Sequence, residues 1–232
     1  MRRVFVAIAV WFLALAPLAS AAPPAMEIAP TTLELVPGEA GLFYITNRSE
    51  APINAQLEAL DWSQVEGSDR LTPSKTLVVS PPFAILAPGQ RQVVRVLSPG
   101  GGDGGAEIAH RLRISQLPDP DPQQGIRVLL QISIPVFVGS KTASLPVLAW
   151  EGTQRGNDVA LTVRNDGTQS VKLEGLAIGD APAASAAPVY VLPGASREVL
   201  LPDGARAGTE LRITAKDARS GLPVSADLTL HR

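Results

Sequence analysis

What most constrains this chain is a rhythm. Short runs in which apolar and polar residues alternate are each closed by a turn signal, and no long apolar face of helical period intervenes. A period of two turns one face of a strand inward and the other to water, and short strands at regular spacing read as an antiparallel sandwich. The 21 prolines and 20 glycines act as punctuation. Glu27 to Val36 ends at Pro37-Gly38, Leu42 to Asn47 stops at Asn47-Arg48-Ser49, and Ile53 to Trp62 follows. Leu77 to Val79 leads into Pro81-Pro82, Gln92 to Leu97 follows Ala87-Pro88-Gly89, and Ile108 to Leu117 precedes Ile126 to Val138. That is about seven strands, the complement of one immunoglobulin-like domain.

Gly139 to Ser144 breaks the pattern and reads as a linker. A second alternating set follows: Asp158 to Arg164, Gln169 to Leu176, Val189 to Leu192, Arg197 to Leu201, Glu210 to Ala215 and Val224 to Leu230. Asn165-Asp166-Gly167 between the first two is a hairpin signal, because Asp-Gly tolerates positive φ. Ser80-Pro81-Pro82 lies where the chain turns into its next strand, which raises the expectation of a cis bond at Pro81 or Pro82 above the usual rate. The expected fold is all-β, two unequal immunoglobulin-like β-sandwich domains at 26–140 and 145–232, the second smaller and richer in alanine.

The opening Met1-Arg2-Arg3, the apolar run Val4 to Leu15 and the small residues Ala19-Ser20-Ala21 read as a signal peptide over 1–21, cleaved after Ala21 or Ala22. Its apolar core, broken by Pro17, is shorter than the roughly 20 residues that span a bilayer, and no later run is long enough. The expectation is an exported protein that is not membrane-embedded. With 45% hydrophobic residues and no cysteine, it must rely on packing rather than disulfides, and thiol chemistry is excluded. A net charge of −2 without a basic run argues against nucleic acid as a partner.

Catalytic motifs are missing. There are two histidines, His110 inside an alternating run and His231 beside the last residue, and neither has a nucleophile motif nearby. They are too few for a His/Cys metal site, so no metal and no cofactor is expected. Gly100 to Gly105 lacks the Lys and Ser/Thr of a phosphate loop and reads as a hairpin loop. Binding, not catalysis, is the expected mode of action.

Ile126 to Val138 is the most informative stretch. Residues two apart share a face, so Ile126, Val128, Leu130, Ile132 and Ile134 form an unbroken aliphatic stripe. A central sandwich strand accounts for such a stripe. Two features favour an edge strand instead: the proline-rich Pro118 to Gln124 before it cannot join a sheet, and Pro135 lacks a ladder N–H. An apolar edge is an aggregation hazard unless it serves to add a strand to a partner.

Several motifs in order carry a resemblance. They are Asn47 in Tyr44-Ile45-Thr46-Asn47, the run Pro81 to Gln90, Val94-Arg95-Val96, Arg111-Leu112-Arg113-Ile114 with Leu117-Pro118, Ile132 to Val138, and Trp150. Over nearly the whole mature length the chain resembles the PapD-like periplasmic pilus chaperones, and Ile134 to Val138 resembles their alternative, archaic-type branch. The resemblance implies two immunoglobulin-like domains meeting as an L. It also implies a donor strand, with Ile126, Val128, Leu130, Ile132 and Ile134 on its binding face, that completes a pilin subunit until an outer-membrane usher takes over. In that family an Arg on the first strand and a Lys on the donor strand hold the subunit's C-terminal carboxylate. Thr32 and Pro135 stand at those places here, so Arg111, Arg113, Arg127 and Lys141 become the candidate anchors. The rival readings are a structural or adhesive two-sandwich surface protein, and a solute-binding protein, although those are usually larger and α/β.

Overall fold

Alternating residues sort into strands over the described parts of the chain, which in this computed structural model are 25–99, 105–118, 128–139, 145–179, 187–202 and 207–232. The first ten strands are β1 (Met26–Ala29), β2 (Leu33–Leu35), β3 (Ala40–Asn47), β4 (Ile53–Val65), β5 (Ser68–Pro73), β6 (Val78–Ser80), β7 (Phe83–Leu86), β8 (Arg91–Leu97), β9 (Ile108–Leu117) and β10 (Gln131–Val138). One sheet runs β1-β3-β8-β6; the other runs β2-β10-β9-β4-β5, with β7 also paired to β4. Their facing sides bury Phe43, Ile45, Val94 and Val96 against Leu57, Leu112, Ile114 and Val136. This is the N-terminal sandwich.

The remaining strands are β11 (Leu148–Arg155), β12 (Asp158–Asn165), β13 (Val171–Ile178), β14 (Val189–Val191), β15 (Ser196–Pro202), β16 (Glu210–Asp217) and β17 (Pro223–Thr229). They form a β11-β12-β15 sheet facing a β14-β13-β16-β17 sheet, with Leu161, Val163, Leu173 and Ile213 in a separate core. The two-sandwich, all-β architecture is the one the alternation implies.

Three local expectations need correcting. Glu27 to Val36 is not one strand: at the cis Ala29–Pro30 bond the chain leaves β1 and crosses to the opposite sheet as β2. Proline has no N–H to continue a ladder, so the change of sheet falls there. Ile53 to Trp62 runs on to Val65, turns through Glu66 and Gly67, both at positive φ, and returns as β5. All six residues of β5 are exposed, so it carries no alternation to read.

Asn165-Asp166-Gly167 does not close a hairpin either, since β12 and β13 lie in opposite sheets. The Asn165 side chain is buried and takes over the turn. Its Nδ2 donates to the carbonyls of Gln169 and Val191, and its Oδ1 accepts from the Gly167 N–H. Gly167 is needed for space, not for φ: a Cβ there would lie 2.7 Å from the Val147 backbone nitrogen. Asn47 does the same work at the end of β3, donating to the carbonyls of Ala51 and Leu86. Of Pro81 and Pro82, whose sequence context raised the chance of a cis bond above the usual rate, Pro81 has one, at Ser80–Pro81. The linker centre at 140–144, the loop at 100–104 and most of Pro118 to Gln124 lie outside the described residues.

Candidate functional site

The two ends of β10 have different surroundings. Along its whole length it pairs antiparallel with β9, but β2 lies on its other side only from Val136 to Val138. Among the described strands nothing pairs with Gln131 to Pro135 on that side, so this stretch is a sheet edge. Exposure follows the same gradient. Val128 is 83% exposed, Leu130 and Ile132 are half-buried against the end of the core, and Ile134 is 3% exposed. Ile134 therefore leaves the candidate binding face. At that point the strand faces the opposite sheet, and its side chain fills the sandwich's own core. Regular pairing begins only at Gln131, so the ladder is shorter than the reading from Ile126. Ile126, Arg127 and Lys141 lie outside the described residues.

The outward face of the same sheet carries Arg111 and Arg113, and the structure separates them. Arg113 Nε donates to Glu58 at 2.9 Å, an ion pair that satisfies both groups. Arg111 lies over the Trp62 ring at 3.8 Å and near the Tyr190 ring at 5.0 Å, with no hydrogen bond or carboxylate partner among the described residues. Burial depresses its pKa, and the electrostatic influence of the Tyr190 hydroxyl and of Asp69 opposes that only in part. An arginine stays a cation regardless. A half-buried guanidinium held by two rings keeps donors free for an anion. Its partner across the ladder is Pro135.

The aromatic pocket joins the two sandwiches. Trp62, Phe137 and Tyr190 pack together, with centroids 5.3 to 6.4 Å apart, and Ala109 and Leu192 complete the apolar contact. Polar fasteners flank it. Arg219 of the C-terminal sandwich donates to both oxygens of Glu107 at 2.9 and 2.7 Å, reaches Glu34, and lies 4.0 Å over the Phe137 ring. Burial works to lower the Arg219 pKa, but the hydrogen bonds and charge of Glu107 and Glu34 outweigh it and leave it raised. Gln64 bonds the backbone of Tyr190 and Leu192, and Arg197 donates to the Gly67 carbonyl. Sequence reading missed Gln64, Tyr190 and Arg219, since a contact between separate domains leaves no local pattern. The scarcity of aromatic residues (4%) was the available hint that Trp62 and Tyr190 mattered.

Among the described residues the chain is an immunoglobulin-like sandwich with an open aliphatic edge, fastened to a second sandwich beside a cation that has no ion-pair partner. Residues 25–142 match the family model described as pili and flagellar-assembly chaperone, PapD N-terminal domain. The chain belongs to that chaperone family. Among solved structures it is similar to the CsuC–CsuE chaperone–tip adhesion subunit pre-assembly complex of the archaic Csu pili of Acinetobacter baumannii, at 20% identity and a TM-score of 0.72, covering 90% of this chain and 100% of that one. The Salmonella enterica SafA pilin–SafB chaperone complex matches at 17% identity and a TM-score of 0.66, covering 90% and 99%. The E. coli chaperone DraB matches at 19% and 0.62, covering 88% and 98%. At these identities the likeness is one of fold. No curated protein sequence matches the chain.

Proposed function

We propose that this chaperone holds a pilin subunit by lending it the open edge of β10, and that an outer-membrane usher later replaces the loan with the next subunit's strand. The observation that carries the reading is the unpaired edge Gln131 to Pro135, preceded by the exposed Val128. Val128, Leu130 and Ile132 enter the subunit groove, each gaining about 1.5–3 kcal/mol at most, since two of them are already half-buried. Association and ordering costs are subtracted from that sum. Ile126 extends the stripe, and Arg111 receives the subunit's C-terminal carboxylate. Of the four candidate anchors, Arg113 is already paired, and Arg111 is the described one with donors to spare. The same reading takes 26–140 and 145–232 as the domains and the periplasm as the compartment, reached through cleavage of residues 1–21.

Co-expression with candidate subunits tests it. Val128→Asp and Leu130→Asp are expected to abolish co-purification of the subunit, while Val128→Asp keeps the wild-type thermal melt and Leu130→Asp, half-buried in the free protein, stays folded with a lowered melt. A charge costs heavily in a partner's apolar groove, whereas in the free protein it stays near water. Recovery of subunit by both variants would exclude strand donation through this edge.

A further inference from the structure

Gln64 makes contacts more specific than a surface glutamine needs. Its Nε2 donates to the Tyr190 carbonyl at 2.9 Å and its Oε1 accepts the Leu192 N–H at 3.0 Å. A carboxamide bonding the carbonyl of one residue and the N–H two residues on imitates the N–H and C=O of one residue in a neighbouring parallel strand, here at the end of β14. Its second N–H goes to Asp69 Oδ1 at 3.0 Å, the residue opposite it in the β4–β5 hairpin. Asp69 also accepts from Arg197. Rotating the amide by half a turn would set its NH₂ against the Leu192 N–H and its oxygen against two acceptors, so one orientation is fixed.

The consequence falls on Arg111. Val189 and Val191 are buried in the C-terminal core, which leaves Tyr190 between them pointing out toward the other sandwich. Gln64 fixes the backbone on which that ring is mounted, and the ring lies edge-on to Trp62 and beside the Arg111 guanidinium. We infer that Gln64 is the positioning residue of the anion site. By holding Tyr190 in register it keeps Arg111 aimed for a carboxylate, and it makes the site depend on both sandwiches at once. This rests on the reading of Arg111 as a carboxylate receptor.

Formate, with formamide as its neutral control, probes the site without a client subunit, read by NMR at the Trp62 Nε1–H and Arg111 Nε–H. Wild-type protein is expected to respond to formate and not to formamide, and Arg111→Met to lose the response. Absence of any formate response in the wild type defeats the Arg111 reading itself, before any Gln64 variant is made. Gln64→Met is expected to weaken formate binding at least fivefold at both pH 7.5 and pH 5. Gln64→Glu is expected to weaken it at pH 7.5 and to regain most of it at pH 5, where the introduced carboxyl, raised by its neighbour Asp69, takes a proton and donates again to the Tyr190 carbonyl. That recovery occurs within one protein, so a misfolded variant cannot imitate it. Wild-type affinity in Gln64→Met, or no recovery in Gln64→Glu relative to the wild type at the same pH, overturns the inference and leaves Arg111 standing.

Discussion

The two ends of β10 share one strand, one aliphatic pattern and one partner in β9, yet they do opposite things. From Val136 to Val138 the strand has β2 on its free side, and Val136, Phe137 and Val138 are buried. From Pro135 back to Gln131 no described strand pairs with the free side, and the stripe emerges from half-buried Ile132 to exposed Val128. The difference lies in the shortness of β2, whose three residues start only after the chain has crossed sheets beyond Pro30. An alternating pattern thus states which face is apolar; which stretch is covered is decided by a neighbour elsewhere in sequence.

A scan of aspartate along the stripe breaks this comparison most sharply. Val136→Asp and Ile134→Asp bury a carboxylate in the N-terminal core, and each is expected to cost more than about 4 kcal/mol, enough to unfold that sandwich. Val128→Asp is expected to stay within about 0.5 kcal/mol of wild type. Leu130 and Ile132 should fall between, with melting temperature dropping stepwise from Val128 to Val136. A flat series would mean that the open end is covered in solution.

The closed end is also where the C-terminal sandwich is fastened, and Arg219 tests how much that matters. Its removal leaves the Glu107 carboxylate, 6% exposed, without its cation. Breaking a buried pair from one side costs roughly 3–5 kcal/mol, whereas removing both charges together is often close to neutral. Arg219→Met is therefore expected to lower stability by about 3 kcal/mol in urea melts, and Glu107→Gln in the same chain to restore part of it. At the open end the corresponding test is Arg111→Met. It should leave the melt unchanged and weaken subunit binding about tenfold, the loss of one charge-assisted contact of about 1.4 kcal/mol.

How much of this was legible in the sequence follows the same division. Alternation located most strands and the full even-numbered stripe, because period two is a local property. It could not separate Ile134 from Leu130, since Ile134 is covered by the core between the two sheets, built from strands distant in sequence, while Leu130 lies only at its end. It listed Arg111 and Arg113 together, and only the register that sets Glu58 opposite Arg113 and Leu60 opposite Arg111 tells them apart. Asn165-Asp166-Gly167 carried a true turn signal with the wrong destination: the buried Asn165 side chain directs the chain into the other sheet.

The smallest expected effect is a pH dependence confined to the closed end. His110 lies across the ladder from Val136 on one side and Asp61 on the other. It is 1% exposed, its Nδ1 is 3.0 Å from Asp61 Oδ1, and its Nε2 is buried without a partner among the described residues. Burial penalises the imidazolium and holds its pKa below the ordinary value, with Asp61 pulling the other way less strongly. The unfolded chain takes up this proton near pH 6.5, where the folded one still resists it. Stability from His110 is thus intact above about pH 6.5 and is lost as pH falls below that, toward the folded pKa. Melts followed by Trp62 fluorescence should show the N-terminal sandwich weakening between pH 7.5 and 5.5 by a few degrees, at about 2–4 °C per kcal/mol. His110→Gln should flatten that slope while leaving unchanged any pH dependence of the C-terminal sandwich. Parallel slopes in the variant and the wild type would move the acid sensitivity away from the closed end of β10.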